Sequence, residues 1–443
     1  MDDYTEMVRA GSLLCDGKNP QEALNLKVSE TINKFLGESS WVAETYTTKW
    51  YYWKLLAWTI KSVIKSRGWK IVSVKGYSRD EPVIRNIQTD YTKFESCVID
   101  GQLLLEKNNI RMIIIMDTSN SVQIEAGENH HRLVKAFINS IGNFLKKNNF
   151  YRGKNLNFES GISFLNAGTR DWDSVILDPA MKKEIRMNTI GFLNNRTQLE
   201  KYGIPSKRGI ILAGEPGTGK TIVCKALMSE ANTITCIVTT AEGIVTGGYI
   251  SELFSLAQDL SPSIIFIEDI DFIGQERQDY YRGGASLISL LSEMDGIAEK
   301  NAIVTVATSN CYEALDKALS ERPSRFDRVF RITRPNYQQR DELVKHLSKK
   351  IPLSEEVREY VVRETNGFTP AQIQEVLHGM VISRSANGQD IMQFNRNDVD
   401  SNIALLNIRK TGTIGFSSIS HCYATTNKDE NHACAEMGIN TTK

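Results

Sequence analysis

The 443-residue chain has few of the side chains that build metal or disulfide sites. It has 6 histidines, and its 7 cysteines are odd in number, scattered and without C-x-x-C spacing, which predicts free thiols in a reducing compartment. The adjacent His130 and His131 point to different sides of any element that carries them, which argues against a shared metal. Four further candidate zinc ligands match no compact motif, and a solvated tail is favoured for them: His421, Cys422, His432 and Cys434.

The sequence also lacks an excess of charge of one sign, a secretory leader and a metalloprotease motif. Lys and Arg number 53, Asp and Glu also 53, so the formal net charge is +0 and no nucleic-acid partner is expected. The acidic start Met1-Asp2-Asp3 is followed by no apolar leader segment, which makes the cytoplasm the expected location. No H-E-x-x-H motif occurs in the 443 residues, which argues against a metalloprotease site.

The longest aromatic and apolar stretch, residues 50–64, is too short for a membrane span. A spanning helix needs roughly 20 apolar residues, and Lys54 and Lys61 interrupt this stretch. It predicts a helix that faces the protein core, with a helix lying on a membrane surface as the alternative. A membrane is therefore a possible but disfavoured partner.

Residues 209–221 read G-I-I-L-A-G-E-P-G-T-G-K-T and fit the pattern G-x-x-x-x-G-K-[ST] in full. Glycines let successive backbone N–H groups converge on phosphate oxygens, and the helix that follows adds its positive N-terminal end. Lys220 would reach the β- and γ-phosphates, and the Thr221 hydroxyl would ligate Mg²⁺. The sequence therefore predicts a site for a nucleoside triphosphate and Mg²⁺, formed by Gly214, Glu215, Pro216, Gly217, Thr218, Gly219, Lys220, Thr221 and Ile222.

A second motif is the apolar run at residues 263–267, which ends in the carboxylates of Glu268, Asp269 and Asp271. If this run forms a strand beside the P-loop strand, its acidic end places one carboxylate near Mg²⁺. The next carboxylate then lies against the water that attacks the γ-phosphate. The two motifs together favour nucleotide hydrolysis over nucleotide binding alone.

On these motifs, residues 171–406 resemble the AAA family of ATPases, whose nucleotide is ATP with Mg²⁺. The resemblance implies a metal-side role for Glu268 and a water-activating role for Asp269, although the usual order in this Walker B motif is Asp then Glu. Because Asp is one methylene shorter than Glu, the base must approach by another route or the water must shift. Asp269 is interpreted as active, with a site that binds ATP as a slow switch as the alternative. The mitochondrial AAA ATPase that assembles respiratory complex III and its prokaryotic relatives share the Glu-Asp order and have similar D-S-V-I-L-D and R-G-I-I-L-A-G segments.

Further positions match the family one by one. Asn310 resembles the sensor 1 amide, and Arg322 and Arg325 resemble arginine fingers that reach the γ-phosphate of a neighbouring subunit. A surface salt-bridge cluster is the alternative for the two arginines. Fingers supplied by a neighbour imply a homo-oligomeric ring, with a hexamer as the expected size. The resemblance also places three residues against the adenine: Ile176, Leu177 and Gly203.

The alternation of strands and helices predicts an α/β fold with an AAA+ core. Its parallel five-stranded sheet is expected within residues 171–334 and a C-terminal helical lid at residues 335–408. Residues 1–170 are expected to form an N-terminal domain that selects a substrate or partner. This domain is predicted to be helical to about residue 70 and α+β after it. Residues 155–165 are assigned to that domain, and residues 409–443 predict a disordered tail.

These patterns predict a ring-forming ATPase that remodels, unfolds or translocates an unidentified protein. The alternative is a nucleotide-gated scaffold or switch with slow turnover. AAA unfoldases carry an aromatic-hydrophobic-glycine motif in their pore, but residues 242–249 are shorter than in typical members, and Ile244 and Val245 are their only apolar pair. Tyr249 either faces a channel or packs at the N-terminus of the next helix.

Overall fold

The computed structural model describes residues 30–37, 40–275, 283–296, 302–311, 326–391 and 393–410. Arg322, Arg325 and residues 411–443 of the predicted tail lie outside these ranges. The described residues form two compact units, one ending at Thr333 and the other beginning at Arg334. The predicted domain boundary after residue 170 falls inside the first unit and stays a prediction.

The N-terminal part of the first unit contains a six-stranded antiparallel sheet in the order β1-β6-β5-β4-β2, with β3 also paired to β4. The strand β1 corrects our expectation that residues 40–66 are helical throughout, because its side chains alternate between exposed and half-buried positions at the period of a strand. The strands are β1 Trp41–Thr47, β2 Lys70–Lys75, β3 Val83–Gln88, β4 Phe94–Lys107, β5 Ile110–Met116 and β6 Ser121–Gly127.

Both faces of this sheet are covered. Helices α1 (Trp53–Ser66) and α2 (His131–Lys147) pack on one face, where Met112 and Ile114 of β5 are fully buried. The intervening Ile113 packs on the opposite face with Ile32 and Leu36 from the helical residues 30–36. A strand buried on both faces reads as a continuous apolar run, which explains the sequence of β5.

A seven-stranded sheet follows, in the order β13-β9-β12-β11-β10-β7-β8, parallel except for β8. Five of its strands lie within residues 171–334, where five were expected, and two strands from outside that range extend the sheet. Residues 155–158 and 162–164, assigned from sequence to the N-terminal domain, form its last two strands, and Leu156 of β7 pairs with Ile237 of β10. The strands are β7 Asn155–Phe158, β8 Ile162–Phe164, β9 Lys207–Ala213, β10 Thr235–Thr240, β11 Ser263–Glu268, β12 Ile303–Ser309 and β13 Arg328–Arg331.

Helices cover both faces of this second sheet. Alternate residues of β9 belong to two apolar cores, Ile211 to one and Ile210 to the other, as expected for a doubly covered parallel strand. A π-helical turn, Met187–Gly191, joins α3 to α4. The helices are α3 Pro179–Arg186, α4 Phe192–Asn194, α5 Arg196–Glu200, α6 Lys220–Glu230, α7 Ala241–Thr246, α8 Ile250–Asp259, α9 Asp271–Gln275 and α10 Gly283–Gly296.

The described residues of the second unit form helices joined by short connections. Its helices are α11 Tyr337–Ser348, α12 Glu355–Glu364, α13 Pro370–Ala386 and α14 Arg396–Lys410. Asn336 and Thr369 begin α11 and α13 with capping boxes. Gly367, at a φ of +76°, lies between α12 and α13.

Candidate nucleotide-hydrolysis site

The P-loop connects β9 to α6 at the carboxyl edge of the seven-stranded sheet. Gly217 and Gly219 have φ angles of +80° and +108°, which favour glycine over every other residue. A Cβ on Gly214 would lie 2.2 Å from the carbonyl oxygen of Ile332, so this position has no room for a side chain. The loop is therefore a tight backbone cradle at a helix N-terminus, which fits a phosphate chain.

Lys220 links this loop to the end of β12. Its ammonium group donates hydrogen bonds to the carbonyl oxygens of Gly214 (2.6 Å) and Glu215 (3.0 Å) and to Oδ1 of Asn310 (2.7 Å). Burial lowers the pKa of Lys220, and the nearby carboxylates of Asp269 and Asp271 oppose this change. The cation thus lies between the loop backbone and the acidic end of β11.

Asn310 lies at the centre of a chain of polar contacts. Its Nδ2 donates to Oδ1 of Asp269 (2.9 Å), while its Oδ1 accepts from Lys220. Its backbone N–H donates to Oδ1 of the buried Asp271 (3.0 Å). Asp269 is held from a second side, because its own N–H donates to the hydroxyl of Thr308 (3.1 Å). The two strand ends β11 and β12 therefore position one carboxylate and one amide together.

Asp269 has a backbone conformation that is unusual for a residue other than glycine. Its φ is +53°, in the left-handed region that Asp and Asn tolerate better than most side chains. This turn follows directly after Glu268, the last residue of β11. The carboxylate of Glu268 therefore extends from a strand and that of Asp269 from a left-handed turn.

Glu268 lies on the α6 side of the site. Burial raises the pKa of its carboxyl group, and the neighbouring Asp269 raises the pKa further, while Lys225 of α6 lowers it. Thr221 stands exposed in the first turn of the same helix. A carboxylate and a hydroxyl are oxygen ligands of the kind Mg²⁺ binds in nucleotide sites, so these two residues fit the metal role predicted for them.

The residues predicted to contact adenine separate into two places. Leu177 packs against the same apolar core as the buried face of α6, and Ile176 is half-buried next to Leu177. Ile222, predicted as part of the nucleotide loop, packs against this core as well. Gly203 instead precedes the amino end of β9, whereas the P-loop follows the carboxyl end of that strand. Because β9 is 7 residues long, the structure does not bring Gly203 to the P-loop.

Two residues of the polar cluster, Asp271 and Thr308, had no role in the sequence prediction. Asp271 was visible as the third acid of the E-D-I-D run, but its hydrogen bond to the backbone of Asn310 depends on the pairing of β11 with β12. Thr308 is one of several buried residues of β12, and nothing in the sequence distinguishes it from them as a site residue. Arg322 and Arg325, the predicted arginine fingers, lie outside the described residues.

Tyr249 packs rather than facing a channel. Its ring lies 5.1 Å from that of Trp50 and 6.4 Å from that of Phe158, centroid to centroid. The residue occupies the N-cap position of α8, and a Cβ on Gly247 would lie 2.4 Å from the ring. Of the two roles considered for Tyr249, helix N-terminal packing is confirmed. The predicted core-facing helix at residues 50–64 is also confirmed, because Leu55, Ile60 and Ile64 of α1 are buried.

The described residues contain no cluster of three or more His, Cys, Asp or Glu side chains suited to a metal ion. The candidate ligands from His421 to Cys434 lie outside these residues. Within the same described ranges, no helix has both the length and the hydropathy that crossing a membrane requires.

Comparison with known proteins agrees with this geometry. Residues 210–334 match the family model "ATPase family associated with various cellular activities (AAA)". The chain is 32% identical over 254 residues to an ATP-dependent zinc metalloprotease FtsH 2 of Salinibacter ruber, covering 55% of this chain and 37% of that protein. It is 33% identical over 227 residues to the FtsH of Syntrophotalea carbinolica, covering 48% and 35%.

The matched segments span little more than a third of these curated relatives. The matched family model contains the P-loop, the carboxylate end of β11 and Asn310 at the end of β12. Residues 210–334 are therefore similar to the ATPase domains of the AAA family, whose ligands are ATP and Mg²⁺ and whose reaction is ATP hydrolysis.

Proposed function

We propose that this chain forms a ring and uses ATP hydrolysis to remodel, unfold or translocate a protein substrate. The observation that carries the proposal is the contact chain from Lys220 through Asn310 to Asp269, which joins the phosphate loop to a carboxylate beside it. The similarity to proteins named ATP-dependent proteases supports a protein as the substrate. The cytoplasm is the proposed location, and no nucleic-acid partner is proposed.

In this proposal Asp269 is the catalytic base. Its Oδ1 accepts from Asn310, and its Oδ2 has no hydrogen-bond partner among the described residues, so Oδ2 is the atom that takes the proton of the attacking water. Asn310 holds the carboxylate in place. Glu268 and Thr221 would hold Mg²⁺, which neutralises the negative charge that develops on the phosphate oxygens.

The ring is proposed from the arginines that follow β12. Arg322 and Arg325 stand in the order that the AAA resemblance assigns to arginine fingers, and a finger supplied by one subunit to the next closes into a ring of identical copies. A hexamer is the proposed size.

The Glu268-Asp269 order supports a closer relation to the complex III assembly ATPase and its prokaryotic relatives than to proteases. The 443 residues also contain no H-E-x-x-H motif.

A nucleotide-gated scaffold is the second candidate, and Asp269 is the observation that favours it. The carboxylate is one methylene shorter than the usual Glu and stands on a turn at a φ of +53°, which limits its reach toward the water. Slow turnover would then reset an assembly rather than drive mechanical work. Attachment of this scaffold to a membrane through residues 50–64 is disfavoured, since Trp50 and Tyr51 pack inside the protein against Phe158.

The test is phosphate release by the wild type, Asp269→Asn and Arg325→Ala, with the mass of each measured in ATP by mass photometry. A ring motor requires turnover in the wild type, rings without turnover in Asp269→Asn, and loss of turnover in Arg325→Ala. Rings whose phosphate release equals that of Asp269→Asn would support the scaffold instead. A wild-type protein that stays monomeric and inactive in ATP would contradict both.

A further inference from the structure

A cavity of about 230 Å³ lies in the N-terminal part of the first unit, away from the nucleotide site. It opens where the end of α1, the turn between β4 and β5, and the outer face of α2 meet. Its lining combines two cations with aromatic and aliphatic side chains: Arg67, Trp69, Lys107, Asn108, Leu133 and Phe137.

The floor of the cavity is apolar and rigid. Trp69 is 8% exposed and packs edge-on against Phe137, with ring centroids 6.3 Å apart. The indole N–H of Trp69 finds no acceptor among the residues that the structure describes.

Two cations form the rim. Arg67 donates from Nη2 to the Ser140 hydroxyl, and Lys107 donates from Nζ to the carbonyl oxygen of Arg67. A guanidinium has five N–H donors and an ammonium three, so each cation keeps donors beyond these contacts. No Asp or Glu is among the described residues that line the cavity. The rim therefore carries positive charge that no lining carboxylate neutralises.

We propose that this cavity binds the C-terminal residue of a polypeptide whose last side chain is apolar. The apolar side chain would lie on Trp69 and Phe137, and the terminal carboxylate would bind between Arg67 and Lys107. The inference rests on the proposed function, since it identifies how a protein substrate is first held by the N-terminal part of the chain.

Size and charge select this occupant. Sites for whole small molecules enclose about 300–1,000 Å³, and 230 Å³ is smaller, close to one large side chain with its carboxylate. Hydrogen bonds from a cation to a carboxylate are about twice as strong as neutral ones. Capturing a chain end requires both features at one point, and the cavity offers both.

A purely structural role explains only part of the arrangement. Lys107 on the carbonyl oxygen of Arg67 caps the end of α1, which accounts for the position of the cation. It does not account for the open volume of about 230 Å³ beside the cation.

The test measures binding of three labelled hexapeptides to the full chain without nucleotide, by fluorescence anisotropy. The peptides share one sequence and end in Leu with a free carboxylate, Leu with an amide, or Gly with a free carboxylate. We expect the first to bind at least about 10-fold more tightly than the other two. Equal binding of all three, or no binding, would overturn the proposal.

Three variants locate the binding. Ala136→Phe, on the exposed face of α2 at the cavity, fills the space without removing a contact, and Arg67→Gln with Lys107→Gln removes both cations. Each is expected to abolish the preference for the Leu carboxylate. Lys65→Gln, an exposed cation of α1 outside the cavity, is the matched control and should bind as the wild type does.

Two outcomes separate this inference from the proposed function. Peptide binding that Ala136→Phe leaves unchanged overturns the cavity assignment even when ATP is hydrolysed. Absence of ATP hydrolysis with intact, cavity-dependent peptide binding overturns the motor and leaves the peptide site. Vesicles of phosphatidylglycerol are tested as well. If the wild type binds these vesicles but no peptide, and the double variant does not bind the vesicles, the two cations bind a lipid surface instead.

Discussion

Asn310 donates a hydrogen bond from Nδ2 to Oδ1 of Asp269 across 2.9 Å, joining the ends of two neighbouring strands. The same amide accepts from Lys220, so one side chain connects the proposed base to the phosphate loop. Residues that act as a unit lose activity together rather than additively. We therefore expect Asp269→Asn and Asn310→Ala each to lower phosphate release about 100-fold, and the double variant to lose little more than either.

The measurement is steady-state phosphate release, with ATP affinity determined separately by a fluorescent analogue. Both single variants should retain ATP binding within about threefold, because neither change removes a backbone contact of the P-loop. Losses that multiply in the double variant would show that the two residues act independently.

Restoring the usual family residue at the second Walker B position is expected to lower activity. At a φ of +53° the backbone accepts Asp more readily than Glu, and the hydrogen bond to Asn310 is set for the shorter side chain. Asp269→Glu should therefore reduce single-turnover hydrolysis by about 10-fold. Asp269→Asn provides the inactive reference. Faster hydrolysis by Asp269→Glu would mean that the swapped order limits turnover, as the switch alternative requires.

Much of this site could be predicted from sequence because its determinants are local. The P-loop glycines, Lys220 and the acids after β11 appear as one contiguous motif each. The hydrogen bond from Asn310 to Asp271 could not be predicted, since it needs the register of β11 against β12. The assignment of β7 failed for the same reason. The alternation of apolar and polar residues identifies a strand but not its partner. Leu156 pairs with Ile237, 81 positions further along the chain.

Gly214 tests whether the P-loop cradle is as tight as the geometry indicates. A Cβ at this position would lie 2.2 Å from the carbonyl oxygen of Ile332 and 3.0 Å from the Thr218 hydroxyl. Gly214→Ala must move backbone on one side, so we expect ATP affinity to fall at least about 10-fold. Gly296→Ala is the control, because nothing lies within 4 Å of its added Cβ. Unchanged ATP affinity in Gly214→Ala would show that the loop yields without cost.

Tyr249 is expected to be a packing residue. Its ring contacts those of Trp50 and Phe158, and its hydroxyl makes no hydrogen bond within the described residues. Tyr249→Ala should lower the free energy of unfolding by about 2 kcal/mol, whereas Tyr249→Phe should leave it unchanged. The control is Tyr202→Ala, since Tyr202 is 77% exposed. A pore residue would behave differently: Tyr249→Ala would keep its melting temperature and lose only stimulation of ATP hydrolysis by a protein substrate.

Glu125 gives the first unit a pH-dependent stability. The side chain is 3% exposed, and although Oε1 accepts from Nε2 of Gln123, its Oε2 has no hydrogen-bond partner among the described residues. Burial raises the pKa of this carboxyl group above its ordinary value of 4.5, with the Gln123 hydrogen bond opposing. The folded protein therefore keeps the proton in a pH range where the unfolded chain has released it.

The sign of the effect follows from proton linkage. A carboxyl group that holds its proton longer in the folded state stabilises that state fully at pH values below the unfolded pKa, and the contribution is lost as pH rises through the folded pKa. Glutamine does not titrate, so Glu125→Gln should melt higher than the wild type by an amount that grows as the pH rises above the ordinary carboxyl pKa of 4.5, reaching about 2 °C or more. Glu159→Gln, at an exposed turn of the same unit, should follow the wild type at every pH. A Glu125→Gln advantage that stays constant or shrinks with rising pH would show that Glu125 is ionised at no cost in the fold.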